Sequence, residues 1–424
     1  MQRRNFIKLM GITGAMMALP GSIVAASIAK YEGPLYIMIH AAGGWDPTHL
    51  CDPKGAITSE LEEDGVTLKE GANPMNRYPA TTIKKAGNIS YAPNEGFDTF
   101  FDKYYEELLV INAINPQTNS HDGGTRSIWS GRLAEGYPSL AAVIAGVHAP
   151  ASAMSYISEG GYDFTDGLVA PTRVGASDTL LELATPNFYY QDSNTQRKYY
   201  YNTPSAFAKI EAARLKRLEK LSTKQPLPHI KNAVDQLERS STGANELKLL
   251  NAQLGALPQE LVAENGGGAL YRNGRIAMAA YRAGLTVSVS LSHGGFDTHN
   301  NHDASHVPRL RALLEGVDLI KQEADRQGMK DKVVIVMGSE FGRTPRYNSN
   351  NGKDHWQVTS MMMMGPSISG NRVLGETDHE HNIVEGKGFL PADINKALRK
   401  LASVDSSDAV KQYYPLNGES EISL

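Results

Sequence analysis

Short runs rich in aliphatic and β-branched residues recur along the chain, and most of them end at glycine or polar residues. Continuous apolar runs of this kind are typical of strands that are buried on both faces of a parallel sheet. A run of four methionines has the same character and is most simply a further buried strand. The predicted strands span residues 35–39, 108–112, 286–291, 332–337 and 361–364.

Helical periodicity appears between the predicted strands. In residues 308–327, leucine, valine and isoleucine recur three or four positions apart, which places them on one face of a helix. Residues 275–283 are predicted as a helix that leads into the third strand. Strands that alternate with helices indicate an α/β fold, which we expect to be a mostly parallel central sheet with helices on both faces.

The middle of the chain has a different pattern. Residues 204–221 and 228–254 are charged amphipathic segments separated by a link that contains two prolines. We expect a helical hairpin inserted into the sheet domain at about residues 204–258. The predicted organisation is therefore a single α/β domain over residues 30–424 that carries this insertion.

The first residues carry the features of an export signal. Arg3-Arg4 is followed by Lys8 and by an apolar run that ends at two alanines. This combination is typical of a twin-arginine signal peptide, predicted here at residues 1–29. An ordinary N-terminal helix with a basic start is the alternative. The signal predicts passage through the twin-arginine translocase, which carries folded proteins, to a periplasmic or extracellular location.

Composition argues against several classes of function. The net charge is −4 and there is no basic block, so nucleic-acid binding is not expected. No other segment is long and apolar enough for a permanent membrane span, and glycines and a proline weaken the signal itself as an anchor. Cys51 is the single cysteine, so the chain has no internal disulfide and its core must be stabilised by packing.

Acidic residues and histidines cluster directly after the predicted strands. Because the carboxyl ends of parallel strands meet at one edge of an open sheet, we expect these side chains to lie close together. Oxygen and nitrogen ligands from several loops suit a divalent cation, and zinc, manganese, calcium and magnesium are all candidates. The predicted metal ligands are Asp46, Asp297, His299, Glu340, Asp354 and His355. Arg343 follows Glu340 closely in the sequence.

Each of these residues also has a simpler explanation. Asp46 follows two glycines, as a turn or helix cap often does, and histidines near asparagine and aspartate often belong to polar loops. Glu340 and Arg343 are close enough in sequence to form an ion pair. The shared position of these residues after strands is what favours a metal site.

Ser120 is a candidate nucleophile after the second predicted strand. It stands where a helix is predicted to begin, and free backbone N–H groups at such a position favour an anionic group. A cation over the hydroxyl would lower its pKa and prepare it to attack phosphorus or sulfur. A role as a helix cap is the alternative.

In order and character, these motifs resemble the alkaline phosphatase-like superfamily, which includes sulfatases, phosphopentomutase and cofactor-independent phosphoglycerate mutase. Three elements, together with the export signal, resemble an uncharacterised exported branch that carries a domain of unknown function. These elements are Phe296-Asp297-Thr298-His299, Ser339-Glu340-Phe341-Gly342-Arg343-Thr344 and Asp354-His355. The resemblance covers essentially all of the mature chain and implies an alkaline phosphatase-like sheet.

The resemblance also implies roles for individual residues. Asp46 is similar in position to the first-strand metal aspartate, and Ser120 to the nucleophile. Asp297 and His299 resemble the acid–histidine pair on one metal, and His355 resembles the last metal histidine.

Two departures from the superfamily pattern bear on the metal. Phe341 stands where hydrolases of the superfamily usually carry the histidine of Asp-His-Gly, although Glu340 keeps the carboxylate. The interval that leads to His299 is shorter than usual, which leaves His302 or His293 as substitutes. One metal, an altered site and no metal are therefore the alternatives.

Two functions from different classes follow. The first is an exported metal-dependent hydrolase of small-molecule or polymer phosphate or sulfate esters, with Ser120 as nucleophile and Arg343 or His355 stabilising charge on the substrate. The second is a non-catalytic binding or assembly protein that kept the fold and lost a ligand at Phe341. A nucleotide-binding dehydrogenase is a distant third, because residues 41–45 lack the third glycine of the dinucleotide fingerprint.

Overall fold

The computed structural model describes residues 31–152, 154–173, 187–192, 195, 197–224, 227, 230–231, 233–235, 237 and 244–424. The predicted twin-arginine signal at residues 1–29 lies outside the described residues. No helix in the described ranges is long and apolar enough to cross a membrane.

Strands and helices alternate through most of this part of the chain. The strands are β1 (Leu35–Ala42), β2 (Lys84–Ala86), β3 (Ile89–Tyr91), β4 (Leu109–Ile114), β5 (Tyr156–Glu159), β6 (Pro171–Thr172), β7 (Phe188–Gln191), β8 (Lys198–Tyr200), β9 (Ser288–Gly294), β10 (Val333–Gly338), β11 (Gly342–Arg343), β12 (His355–Trp356), β13 (Thr359–Met364) and β14 (Arg372–Leu374). The helices are α1 (Asp98–Tyr104), α2 (His121–Ser130), α3 (Leu140–His148), α4 (Pro204–Lys224), α5 (Ala244–Gly255), α6 (Gly268–Arg282), α7 (His302–Arg326), α8 (Pro391–Leu401) and α9 (Asp408–Tyr413).

Eight of the described strands form one central sheet in the order β14-β4-β13-β10-β1-β9-β5-β6. Neighbouring strands pair in parallel, except that β13 is antiparallel to both β10 and β4. The predicted α/β fold with a mostly parallel central sheet is therefore confirmed. The third predicted strand begins two residues later than its apolar run and continues through Ser292 and His293, since β1 pairs with it along this length.

The sheet separates two apolar cores. Ile37 and Ile39 of β1 face the core beneath α1, α6 and α7. Tyr36 and Met38 of the same strand face the core beneath α2, α3 and α8. This alternation is what a two-residue side-chain period produces in a strand buried on both faces. Each fully buried aliphatic side chain contributes about 1.5–3 kcal/mol through burial, so β1 anchors the fold from both sides.

The methionine run forms β13, as predicted, and divides its side chains in the same way. Met361 and Met363 pack into the core beneath α2 and α3, whereas Met362 and Met364 pack into the opposite core. All four are buried. Although β13 runs antiparallel to its neighbours, it therefore buries both faces as β1 does.

The middle of the chain contains helices where a helical insertion was predicted. The first is α4, which is largely exposed, although Leu218 is buried. The second is α5, whose Leu250 packs into the core beneath α6 and α7. Residues 225–243, which join these helices, fall partly outside the described residues. The boundaries of the insertion at 204–258 stay a prediction.

Strand direction brings the candidate loops to one edge of the sheet. The parallel strands β1, β9 and β10 end there, and β4 runs in the same direction because β13 is antiparallel to both β10 and β4. The antiparallel strand β13 begins at this edge, directly after β12. The loops that carry the predicted ligands thus meet at the carboxyl edge of the sheet.

Candidate metal centre

The turn after β1 approaches two other loops so closely that only glycine fits. Gly43 and Gly44 have φ angles of +118° and +81°, in the region that glycine occupies without strain. A Cβ atom on Gly43 would meet the backbone of Asp297, and one on Gly44 would meet the ring of Phe341. The two glycines therefore allow the loops after β1, β9 and β10 to come into contact.

Three histidines surround the carboxylate of Asp297 at this edge. Asp297 Oδ1 lies 3.0 Å from His299 Nε2 and 3.2 Å from His355 Nε2. Asp297 Oδ2 lies 3.5 Å from His121 Nε2. The four side chains are partly exposed, and we refer to them as the surface cluster: His121, Asp297, His299 and His355.

Each histidine of the surface cluster directs its other ring nitrogen at an acceptor. His121 Nδ1 lies 2.9 Å from Glu340 Oε1, and His299 Nδ1 lies 2.8 Å from Asp354 Oδ1. His355 Nδ1 lies 2.8 Å from the carbonyl oxygen of Asn119. Because carboxylates and carbonyls only accept, all three Nδ1 atoms carry the proton.

It follows that the neutral form of each imidazole presents the lone pair of Nε2 toward Asp297. The Nε2 atoms of His299 and His355 are only 3.1 Å apart. Two lone pairs and a carboxylate at this separation repel unless a proton or a cation lies between them. An imidazole whose Nδ1–H is held by a carboxylate or carbonyl is also the usual form of a metal-binding histidine.

The charges around the surface cluster also favour a cation. A hydrogen bond with His299 lowers the pKa of Asp354. Burial raises the pKa of Glu340, but the neighbouring His40 and the hydrogen bond with His121 outweigh burial and lower it. Among the described residues that contact these histidines or Asp297, the carboxylates of Asp297, Glu340 and Asp354 stand against the guanidinium of Arg343, which leaves two negative charges when the imidazoles are neutral.

Asp297 is the carboxylate at the centre of this balance. Burial raises its pKa, but the hydrogen bond and the charge of Arg343 outweigh burial and hold the pKa at about 2. The distance from Arg343 Nη2 to Asp297 Oδ1 is 2.7 Å. Asp297 is thus ionised throughout the physiological range, and it offers the charge that a metal ligand requires.

The donor set fits a divalent cation. One ligand atom each from His121, Asp297 and His355 lie within 4.8 Å of one another. Two or three imidazole nitrogens with one carboxylate oxygen match catalytic zinc sites, in which three protein ligands leave a position open, and they also suit manganese. Glu340 and Asp354, which were predicted as ligands themselves, contact this group through the Nδ1 atoms of His121 and His299.

Arg343 is fully buried and directs its donors at the protein. Its Nε donates to Gly44 O over 2.8 Å, and its Nη1 donates to Lys353 O over 3.0 Å. Its Nη2 donates to Gly43 O as well as to Asp297. The guanidinium therefore ties the turn after β1 to two other loops at the site.

Ser120 occupies the N-cap position of α2, directly before His121. Its φ and ψ angles of −97° and 136° are those of an N-cap residue, but within the described chain its side chain makes no capping hydrogen bond. The residue is exposed. The geometry therefore does not support the capping alternative, and Ser120 directly precedes His121 of the surface cluster.

Phe341 forms an apolar wall behind the surface cluster. Its ring is fully buried and lies 4.3 Å from the ring of His355 and 4.9 Å from the ring of His121, measured between centroids. The phenyl ring packs against two of the imidazoles and restricts their orientation. The substitution noted in the sequence therefore has a packing role here.

The carboxylate of Asp46 contacts a different set of side chains, all of them buried. Its Oδ2 lies 2.8 Å from Lys353 Nζ and 3.1 Å from His302 Nε2. Its Oδ1 accepts from the backbone N–H and the hydroxyl of Thr48 over 2.9 and 2.6 Å. We refer to these residues and their partners as the buried cluster: Asp46, Thr48, Asn76, Thr298, His302, His306 and Lys353.

His121 and Lys353 are among the residues of the site that the sequence prediction missed. His121 belongs to the surface cluster, and the signal for it was its position next to Ser120 after the second strand. Lys353 belongs to the buried cluster, and its position before Asp354-His355 is the signal that was available. Of the substitutes considered for His299, His302 lies in the buried cluster and His293 packs against Phe296.

Comparison with known proteins identifies a family but no activity. The family model described as "Protein of unknown function (DUF1501)" matches residues 35–419. No curated protein matches the chain.

Several solved structures are similar at low identity. The PsFucS1 sulfatase from Pseudoalteromonas sp. is 10% identical, and the similarity covers 93% of this chain and 74% of that chain with a TM-score of 0.36. BT1596, a 2-O GAG sulfatase, is 10% identical over 92% of this chain and 76% of that chain with a TM-score of 0.37. TAB5 alkaline phosphatase with bound Mg is 8% identical over 88% of this chain and 98% of that chain with a TM-score of 0.33. TM-scores this low do not support a functional assignment, which must therefore rest on the geometry of the site.

Proposed function

This chain belongs to the family described as "Protein of unknown function (DUF1501)", and we propose that it is an exported metal-dependent hydrolase of phosphate or sulfate esters in which Ser120 is the nucleophile. One observation carries the proposal. Three imidazoles, each with its Nδ1–H held by an acceptor, direct Nε2 at the ionised carboxylate of Asp297. This is the arrangement of a metal site whose outer partners fix the tautomers of its ligands.

His121, Asp297 and His355 would hold the cation, and His299 is placed to complete or exchange with this set. Zinc and manganese suit these donors best. When bound, such an ion polarises an ester oxygen and lowers the pKa of a hydroxyl beside it. Glu340 and Asp354 act in this proposal as the acceptors that orient His121 and His299.

Ser120 is the group that reacts. Its oxygen forms a bond to phosphorus or sulfur, the bond to the leaving alcohol breaks, and the alcohol takes up a proton. Water then releases the phosphate or sulfate from Ser120 and restores the hydroxyl. The position before α2 supports this role, because the first N–H groups of a helix stabilise negative charge on the transferred group.

Our first prediction tests the nucleophile. We expect Ser120→Ala to lower the hydrolysis of p-nitrophenyl phosphate or p-nitrophenyl sulfate by at least about 100-fold, with metal content and unfolding midpoint unchanged. Asp297→Asn should lose both activity and the metal detected by elemental analysis.

Ser407→Ala is the matched control, because Ser407 caps α9 with its side chain. This variant should lose about 1 kcal/mol of stability and keep its activity. Full activity in Ser120→Ala would remove the nucleophile assignment, and a full complement of metal in Asp297→Asn would remove the metal site.

A non-catalytic binding or assembly protein is the second candidate. The packing of Phe341 against His121 and His355 supports it, since a phenyl ring fills a place that a ligand holds in related hydrolases by the resemblance described above. This function predicts no stoichiometric bound metal and no turnover over a broad panel of phosphate and sulfate esters.

A further inference from the structure

Asp46 is closed to any further partner by the buried cluster. A carboxylate offers about four lone-pair positions. In Asp46 these are taken by the N–H and hydroxyl of Thr48, by His302 Nε2 and by Lys353 Nζ, over 2.6 to 3.1 Å. The side chains of Asp46 and Lys353 are both fully buried. A divalent cation would have to displace at least one of these groups.

Lys353 is equally well satisfied. Its ammonium has three protons, and three acceptors surround it. Asp46 Oδ2 and Asn76 Oδ1 each lie 2.8 Å from Nζ, and Thr48 Oγ1 lies 3.4 Å away. The positive charge that Asp46 needs is therefore supplied by the chain itself, with complete hydrogen bonding.

The buried cluster is joined to two of the three segments that carry the surface cluster. Thr298 stands between Asp297 and His299, and its hydroxyl contacts His302 Nδ1 over 2.7 Å and His306 Nδ1 over 2.9 Å. Lys353 directly precedes Asp354, and its backbone N–H donates to Thr298 O over 3.2 Å. In each loop, the residue that faces the buried cluster lies next to residues that face the surface cluster.

The hydrogen bonds between these residues have one consistent direction. His306 Nε2 accepts from the N–H of Asp46 over 2.8 Å, so its proton is on Nδ1 and is donated to Thr298. The Thr298 hydroxyl then donates to His302 Nδ1, and His302 donates from Nε2 to Asp46. The network ends at Asp46, whose carboxylate accepts from His302 and from Lys353.

We propose that Asp46 and Lys353 form a permanent internal ion pair that positions the loops carrying Asp297, His299 and His355, and that Asp46 binds no second cation. The inference rests on the proposed function, because the loops concerned carry the proposed ligands. The site then holds one divalent cation, in the surface cluster. The cluster of Asp46, His49 and His302, whose ligand atoms also lie within 4.8 Å of one another, is a structural support.

The test is a titration of the metal-free protein with Co²⁺, followed by visible absorption, in the wild type and in Asp46→Asn, Lys353→Met and Asp46→Asn/Lys353→Met. We expect one Co²⁺ per chain in the wild type and in Asp46→Asn. Each single variant leaves a buried charge without its partner and should lose stability, whereas the double variant removes both charges and should regain stability. The double variant should still bind Co²⁺ about 10–100-fold more weakly, because the tie between the loops is missing.

Lys321→Met is the matched control, since Lys321 is a buried lysine that pairs with Glu107 outside both clusters. It should lose stability and keep the Co²⁺ affinity of the wild type. Two Co²⁺ ions per wild-type chain, reduced to one in Asp46→Asn, would overturn the proposal. So would a double variant that binds Co²⁺ as tightly as the wild type.

Failure of the proposed function has a different signature. If the wild type binds no Co²⁺, or if Asp297→Asn binds it as well as the wild type does, the surface cluster is not a metal site. Amide hydrogen exchange in residues 297–300 and 352–356 of the metal-free protein then decides the positioning role. Faster exchange there in the double variant than in Lys321→Met supports it, and equal exchange overturns it.

Discussion

His302 and His306 are held in the neutral form by their surroundings. Burial lowers the pKa of His302 to about 4, although its hydrogen bond to Asp46 opposes this shift. Burial likewise lowers the pKa of His306, and the neighbouring His302 adds to the effect. The two imidazoles therefore serve as neutral hydrogen-bonding groups, with one donor and one acceptor each, at neutral pH.

A stability prediction follows at this scale. An unfolded histidine titrates near 6.5, whereas His302 titrates near 4 in the folded protein, so only the unfolded chain takes up this proton between the two values. The contribution of His302 is complete above pH 6.5 and is lost as the pH falls toward 4, by an amount on the order of 3 kcal/mol. Urea unfolding of EDTA-treated protein at pH 7.0 and about pH 4.5 measures it. His302→Asn should show a smaller loss between the two pH values, and an equal loss in both proteins would contradict the prediction.

At the scale of secondary structure, α7 organises the segment that leads into α6. The carboxylate of Glu315, in the middle of α7, accepts from the backbone N–H groups of Glu264, Asn265 and Gly267 over 2.6 to 3.0 Å. Burial raises the pKa of Glu315, but these bonds outweigh burial and lower it. A Cβ atom on Gly267 would meet the backbone of Gly316, so the two helices approach here as closely as glycine permits.

We expect Glu315→Gln to destabilise the fold by about 1–3 kcal/mol, because the amide replaces charge-assisted bonds and turns donors toward donors. Thermal unfolding followed by circular dichroism measures the change. Glu264→Gln is the control, since it keeps the backbone N–H that Glu315 binds and should unfold within about 0.5 kcal/mol of the wild type. Equal stability of the two variants would argue against the role of Glu315.

The elements could be predicted from the sequence because their signals are local. The apolar runs of β1 and β10 and the helical spacing of α7 each lie within a few consecutive residues. The meeting of the loops at the carboxyl edge followed from strand direction alone.

The division of the site into two clusters could not be predicted in this way. Whether Asp46 faces the surface or the interior depends on Lys353, which is 307 positions away along the chain. His121 was passed over because a single histidine after a serine has no pattern of its own. It becomes significant only when Glu340, 219 positions away, fixes its tautomer.

At the scale of the whole molecule, the sheet and its two cores form one frame with the surface cluster at its edge. Both cores reach β1, whose end carries Gly43-Gly44 and Asp46. The candidate site thus adjoins a strand that is buried on both faces, although the side chains of the surface cluster are partly exposed. A rigid frame of this kind is compatible with a chain that is exported after folding, as the predicted signal requires.

The export signal itself can be tested in the intact chain. We expect Arg3→Lys together with Arg4→Lys to prevent translocation, because the twin-arginine route depends on the arginine pair rather than on positive charge alone. Fractionation of cells followed by immunoblotting should find the wild-type protein in the periplasm, shortened by the signal, and the variant in the cytoplasm at full length. Lys8→Arg is the matched control, and it should leave export unchanged. If the variant with both arginines replaced is exported as well as the wild type is, the signal belongs to another export route.

Neighbouring residues of one loop face opposite ways, since Thr298 turns inward between Asp297 and His299. This orientation bears on whether the chain folds before or after a metal binds. Because the inward-facing side chains of Thr298, Asp46 and Lys353 complete their own hydrogen bonds, the frame of the surface cluster closes in the absence of an ion. Folding and loading are then separate events, unlike those of a zinc finger, in which the metal drives folding. An ion that enters a finished frame is selected by what the surrounding compartment supplies, in keeping with the general affinity order of divalent metals. The identity of a metal bound there should therefore record the compartment in which the ion entered the folded chain.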